Sequence, residues 1–169
     1  AHTRISTAVF QIKTDNEIVT SLSAGGRTAY INSQNTLREG FEISARHLIN
    51  THWRAQLTAT AIQAEFGKDT SLAGKTLPGI PRQQLFTSLT WHERGHLMPT
   101  GQSMLGKEAS LEWVARSKLW ASDSNDFVSA ASGYGVLNAK FKQHFAIEKF
   151  QIEAFAGIDN LWNKNAVSS

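Results

Sequence analysis

Five residues near the middle of the chain, His92-Glu93-Arg94-Gly95-His96, match the His-Glu-x-x-His pattern of zinc hydrolases. That chemistry needs a helix, which puts two histidines one turn apart on one face as zinc ligands, with the glutamate as general base. The surroundings favour a strand. Thr87, Thr90 and Trp91 are strand-forming types, and Gly95 inside a helix costs roughly 1 kcal/mol relative to alanine. In an extended chain, positions four apart lie about 13 Å apart, beyond joint ligation. Leu85, Phe86, Leu89 and Leu97 can still be read as a helical stripe, and Glu108 or Glu112 could serve as a third ligand, but without compelling spacing. A zinc metalloprotease is therefore a minor alternative, marked by bound zinc and by activity lost in Glu93→Ala.

The other reactive combinations are weaker. Asp123, Asn125 and Asp126 resemble half of a calcium loop, but no glycine and closing glutamate follow at the required spacing. Gly74-Lys75-Thr76 lacks the upstream glycine spacing and the helix of a phosphate-binding loop. No serine sits on a recognisable nucleophile elbow. With no cysteine, disulfides and thiolate chemistry are excluded. The reading is of a protein that is not an enzyme, with no catalytic residue, no metal and no cofactor assigned. The 17 basic and 14 acidic residues leave a net charge of +3. The densest basic group, Lys140, Lys142, His144 and Lys149, alternates with apolar residues, so nucleic acid is not an expected partner.

The elements that must carry these residues are strands. Side chains alternate faces along a strand, so a period of two marks a two-faced one. Trp53 to Phe66 shows it most plainly, with Trp53, Ala55, Leu57, Ala59 and Ala61 on one face and Arg54, Gln56, Thr58 and Thr60 on the other. About 13 residues at roughly 3.3 Å each reach about 40 Å, whereas soluble strands average five or six residues. Further strands are expected over 3–13, from Glu17, over 36–49, 82–93, 110–121, 134–145 and 149–158. His47 is the exception on the apolar face of the third long strand and reads as an interface residue. The last two strands read as a hairpin. Roughly eight strands and no long helix result. Short turns at 15–16, 50–51 and 146–148 alternate with long polar connections at 24–35, 67–81 and 122–132, and a second linker spans 95–107. In outer-membrane barrels, short turns face the periplasm and long loops the exterior.

No apolar run approaches the roughly 18 residues of a membrane-spanning helix, but barrel strands need only one apolar face. Trp53, Trp91, Trp113, Trp120 and Trp162 fall in or close to expected strand ends, where an aromatic girdle would sit. A soluble all-β ligand-binding domain, with Trp53, Trp113, Phe141 and Phe150 in one core, is the main alternative.

Four segments carry a resemblance. Tyr30, Asn32 and Thr36 lead into Gly40-Phe41-Glu42; Leu77-Pro78-Gly79-Ile80-Pro81 precedes a strand; Tyr134-Gly-Val-Leu-Asn138 opens another; and Asn160-Leu161-Trp162-Asn163 follows the last hairpin. In order and spacing these resemble the C-terminal part of the barrel of TonB-dependent outer-membrane receptors, across nearly all of residues 1–169. The resemblance implies an all-β, antiparallel segment of a 22-stranded barrel, located in the outer membrane. The plug and the closing strands would lie elsewhere, so the chain reads as a piece of a larger product. It further implies energy-coupled uptake of a scarce small molecule such as a siderophore, haem or a metal or cofactor complex. The expected partners are the lipid bilayer, the remainder of the barrel, the plug and, through the plug, TonB. Arg46, Arg54, Arg116, Lys118, Lys140 and Lys142 would then face the lumen, holding the plug and hydrating the wall or lining an anion-friendly interior. Tyr134 and Trp120 would stand near the outer rim, as anchors or solute contacts. Arg46, Arg54, Arg116, Lys118, Tyr134 and Lys140 form the candidate substrate-binding set.

Overall fold

The computed structural model describes residues 2–24, 27–32, 35–68, 70–97, 103–147 and 149–165. Seven long strands form one antiparallel sheet in the order β1 (His2–Asp15), β4 (Asn35–Leu48), β5 (Trp53–Phe66), β6 (Gln83–Leu97), β7 (Ser103–Arg116), β10 (Tyr134–Ile147) and β11 (Phe150–Ile158). Two small pairs complete the described elements: β2 (Ile18–Ala24) with β3 (Arg27–Asn32), and β8 (Leu119–Trp120) with β9 (Ala130–Ala131). A single 3-10 turn covers Phe127–Ser129.

Neighbours in the sheet are neighbours in sequence once the loop strands are set aside, which is the up-and-down order of a barrel wall. One end carries the tight turns after Leu48 and Ile147, and the other carries the long connections. The turn at Asp15-Asn16 belongs with the long connections, contrary to the alternation expected from the sequence. β2 and β3 pair only with each other, so residues 16–34 form one excursion between β1 and β4. Asn16 makes the reversal in the left-handed region, with φ 56°. Gly25 and Gly26, expected to break the strand there, lie outside the described residues. The linker expected over 95–107 is also shorter than anticipated. β6 continues to Leu97 and β7 begins at Ser103, and residues 98–102 lie outside the described residues.

The period-two pattern survives in three dimensions because register holds across the sheet. Ile5, Ala45, Leu57, Thr87, Trp113 and Leu137 are successive partners on one face, hereafter the outer face. The next row, Ser6, Ser44, Thr58, Phe86, Val114 and Val136, lies on the inner face. Nothing packs on the outer face among the described residues: Val9 is 83% exposed and Phe150 69%. A soluble sandwich would bury that face under a second sheet, and the seven-stranded sheet has none over it.

Polar residues bound the outer apolar band at both ends. Towards the loops, Gln11 donates to Glu39, Gln63 Nε2 donates to Glu65 Oε1 at 2.8 Å, and Arg82 approaches Glu65 at 3.8 Å. Towards the turns, Thr3 and His47 share a 2.7 Å hydrogen bond, and Lys107 approaches Glu93 at 3.7 Å. His47, the polar exception on an apolar strand face, thus belongs to the collar. Trp53 and Trp91 are direct register partners at this border, where an indole can bury its ring and keep its N–H wet. From Trp53 to Gln63 is ten residues, roughly 33 Å of strand, and a tilt near 40° projects this to about 25 Å, the height of an outer-membrane band.

Two glycines answer local demands, one a close approach and the other a backbone irregularity. A Cβ on Gly40 would lie 2.5 Å from Phe10 Cζ and 2.8 Å from the Ala61 carbonyl oxygen, so the Phe10 ring lies over the bare backbone. At Gly106 (φ 137°) β7 carries a bulge against β10, where the register shifts between His144 and Phe145. The buried Gln143 amide donates to the Gly106 carbonyl at 3.0 Å, satisfying a group the irregular ladder leaves over.

Candidate functional site

The loop end of the inner face is where the chain builds a cavity. At the top of β5 the inner positions turn apolar, with Ile62, Ala64 and Phe66 in place of threonine and glutamine. Loop 67–82 folds back onto them. Leu77 is fully buried against Ala64 and Phe66, flanked by Leu72 and Ile80. The Leu77 amide donates to the Ala64 carbonyl at 2.9 Å and the Phe66 amide to the Lys75 carbonyl at 2.9 Å. The Leu-Pro-x-x-Pro segment therefore tethers the loop to the wall before β6 begins.

Loop 117–133 is stapled to it. The Gly79 amide (φ 76°) donates to the Trp120 carbonyl at 2.7 Å. Asn125 accepts from the Thr76 amide at 2.6 Å and donates back to the Thr76 carbonyl at 2.9 Å. Ser117 and Gln83 exchange a further pair, at 3.0 and 2.9 Å. The acidic segment that hinted at calcium is used up in this construction. Asp126 caps the 3-10 turn by accepting from the Ser129 amide at 2.8 Å and from Ser124 Oγ at 2.7 Å. The Ser124 hydroxyl, then the Ser129 amide, hold its carboxyl below the usual carboxylate range.

Between the stapled loops lies a cavity of about 360 Å³ lined by Thr76, Ile80, Arg82, Gln83, Ser117, Lys118 and Trp120, within the size range of small-molecule sites. Lys118 Nζ sits 4.1 Å from the centroid of the Trp120 ring. Arg82 donates to Thr76 Oγ1 at 3.3 Å. Among the described residues no carboxylate lines the cavity; Arg82 has Glu65 at 3.8 Å outside it, while Lys118 has no acid partner. Below it, Arg116 and Tyr134 are direct register partners. Phe86, Val114 and Val136 make an apolar inner row two residues further down.

The six residues picked out from the sequence do not form one site. Arg116, Lys118 and Tyr134 come together at the loop end. Lys140 lies midway and binds Glu112 at 2.7 Å. Arg46 and Arg54 lie near the turn end, Arg54 at 3.9 Å from Glu108. Arg54 registers through Thr90 with Ser110, so Arg116 is six residues, roughly 20 Å, away along β7. Arg82 and the Phe86–Val114–Val136 row escaped sequence reasoning. The row's signal was present as apolar doublets (Leu85-Phe86, Trp113-Val114, Val136-Leu137) in three neighbouring strands.

The His-Glu-x-x-His match lies inside strand β6, so the helix that zinc chemistry requires does not form. His92 instead stands on the inner face opposite Glu108. It lines a cavity of about 290 Å³ with Arg54, Glu93, Gly106, Lys107, Glu108 and His144. No three His, Cys, Asp or Glu side chains converge as metal ligands among the described residues.

Comparison with known proteins agrees with this architecture. Residues 2–161 match the family model for the β-barrel of TonB-dependent receptor-like proteins. The ferric preacinetobactin receptor BauA of Acinetobacter baumannii superposes with a TM-score of 0.70 at 19% identity, over 96% of this chain and 23% of that one. The ferric yersiniabactin uptake receptor FyuA of Yersinia pestis gives 0.71 at 17% identity, over 97% and 23%. The copper transporter OprC gives 0.69 at 16% identity, over 98% and 23%. The chain thus spans under a quarter of the length of these structures, which are 22-stranded barrels. Family match, strand order and two-faced wall coincide, and the chain belongs to the TonB-dependent receptor-like β-barrel family.

Proposed function

We propose that this chain forms part of the wall and two outer loops of an outer-membrane receptor that takes up a scarce small molecule at the expense of inner-membrane energy. The observation that carries the reading is the acid-free cavity of Arg82, Lys118 and Trp120 at the loop end of a family barrel wall. An anionic metal chelate with flat organic groups suits cations set beside an indole. The names of the similar structures, two ferric siderophore receptors and a copper transporter, support the same class of solute. The remainder of the barrel closes the free edges of β1 and β11, because an open sheet edge is not tolerated in lipid. A plug fills the lumen and passes the pull of TonB to the bound solute. Arg116 and Tyr134 belong to the floor of the solute site, while Arg46, Arg54 and Lys140 serve the wall and the plug.

Membrane partition of the native full-length product is the deciding experiment. The expected result is an outer-membrane, heat-modifiable species larger than 18.6 kDa. It should bind ferric chelates at least tenfold more weakly after Arg82→Ala with Lys118→Ala. A soluble 18.6 kDa species would overturn the reading.

A further inference from the structure

Arg4 and Arg46 stand directly opposite each other on β1 and β4, on the inner face. Cβ atoms of such partners are about 5 Å apart, and like charges in that relation repel. Both arginines are exposed, and neither has an ion pair or hydrogen bond among the described residues. The acids that might serve them are committed or remote. Their register row continues through Gln56 and Ser88 to Glu112, three strands and roughly 14 Å from Arg46. Glu112 is already held by Lys140. Glu42 lies four residues, roughly 13 Å, up β4. Arg54, diagonal to Arg46, has Glu108.

We propose that Arg4 and Arg46 form a two-guanidinium anion site that grips a carboxylate of the plug. Two planar guanidiniums side by side can each donate paired N–H bonds to carboxylate oxygens, a geometry that lysines do not offer. The site lies at the turn end of the inner wall. From Arg46 to the loop end of β4 is eleven residues, roughly 36 Å, so an anion held here is far from the loop cavity where solute first binds. A permanent, strongly attractive site on the exit side would retain an anionic solute. A fixed acidic side chain neutralises the pair and leaves the path clear. The plug as occupant rests on the receptor reading proposed above.

The test uses the intact receptor in planar bilayers and in cells. Arg4→Glu with Arg46→Glu is expected to raise ion conductance and sensitivity to large antibiotics several-fold, while heat-modifiable folding persists. Lys68→Glu, the same change of charge on an exposed loop residue, is expected to leave both unchanged. Arg46→Cys should cross-link to one plug position when each plug Asp or Glu is replaced in turn by cysteine. Reversing that acid to arginine should reseal the doubly reversed receptor. A folded, plug-containing receptor with unaltered conductance and no plug cross-link would overturn the assignment, as would cross-linking only to the preceding wall strand. Neither outcome touches the receptor reading, which fails only if the protein is not an outer-membrane barrel. Inorganic phosphate bound by the unsubstituted receptor and lost with the double reversal, without any plug cross-link, would identify a free-anion site and also overturn the plug assignment.

Discussion

The inner face uses the same charged residue types at its two sides and arranges them in opposite ways. On β7, β10 and β11, basic side chains meet acids within the wall: Lys140 with Glu112 at 2.7 Å, Arg54 of β5 reaching Glu108 at 3.9 Å, and the His144 imidazole 3.5 Å from Glu153. On β1 and β4, towards the turn end, Arg4 faces Arg46, and neither has an acid partner among the described residues. Each matched pair is worth little, since exposed ion pairs contribute about 0–1 kcal/mol. Their effect is to neutralise the middle and turn end of that side in part; Lys142 and Arg116 on the same strands have no ion pair among the described residues, but neither stands directly opposite another cation. The unmatched side is incomplete and requires an anion from beyond these strands.

The comparison assumes that charge is tolerated on the inner face and rejected on the outer one, and the largest expected effect tests that. Leu57→Arg puts a guanidinium mid-way up the outer band, where lipid penalises it by about 2–4 kcal/mol. Ser88→Arg adds the same group on the inner face, between Gln56 and Glu112, and should change stability by less than about 1 kcal/mol. Urea unfolding of the full-length barrel in bilayers measures both. Equal losses would mean that the faces are misassigned.

A smaller effect separates matched from unmatched charge. Glu112→Lys converts the diagonal Lys140 contact into a like-charge pair, a looser relation than the directly opposed Arg4 and Arg46, costing up to about 1 kcal/mol. Adding Lys140→Glu restores opposite charges within the same wall and should recover nearly all of it. If the swap fails to recover stability, the matched side also depends on outside partners and the contrast collapses.

Much of this could be read from the sequence, for identifiable reasons. β5 is observed with the bounds expected, Trp53–Phe66, because strict alternation is bracketed by Asn50-Thr51 and Gly67. The face of the basic residues inside strands was also legible, since parity along a strand fixes it; Lys118 lies between β7 and β8, where parity does not apply. Height was not. Whether Arg54 and Arg116 are neighbours depends on register across β5, β6 and β7, and no local pattern encodes that. The linker expected over 95–107 was too long: Gly95 and Gly106 both sit inside strands, Gly106 at a bulge. The loop cavity was hidden for a different reason. Its walls come from contacts such as Asn125 with Thr76, 49 residues apart, in segments whose composition says only that they are polar.

The smallest effect concerns the one matched pair on the otherwise unmatched side. At the loop end of β4, Arg38 would be a third lone arginine, but Glu17 comes over from the β1–β2 connection. Its carboxylate takes Arg38 Nη1 at 2.9 Å and Nη2 at 2.5 Å and also accepts from Thr36. The Arg38 hydrogen bonds hold the Glu17 carboxyl below the usual range; partial burial opposes this, and the Thr36 hydroxyl adds to it. A carboxyl whose folded value is lowered contributes stability that is fully present above its unfolded value and is lost as pH falls through the folded one. Acidification below the ordinary carboxylate range should therefore loosen the β2–β3 excursion before the wall responds, seen as faster amide exchange in 18–24 and 27–32. Glu17→Gln should show that faster exchange already at neutral pH and respond little to further acid. Arg4 and Arg46 have no such carboxylate among the described residues, so the exchange of their strand ends should stay flat across the same acid range when the plug is absent. A parallel acid response there would mean that an acid of this chain reaches them after all, and that the two sides of the wall differ less than their register implies.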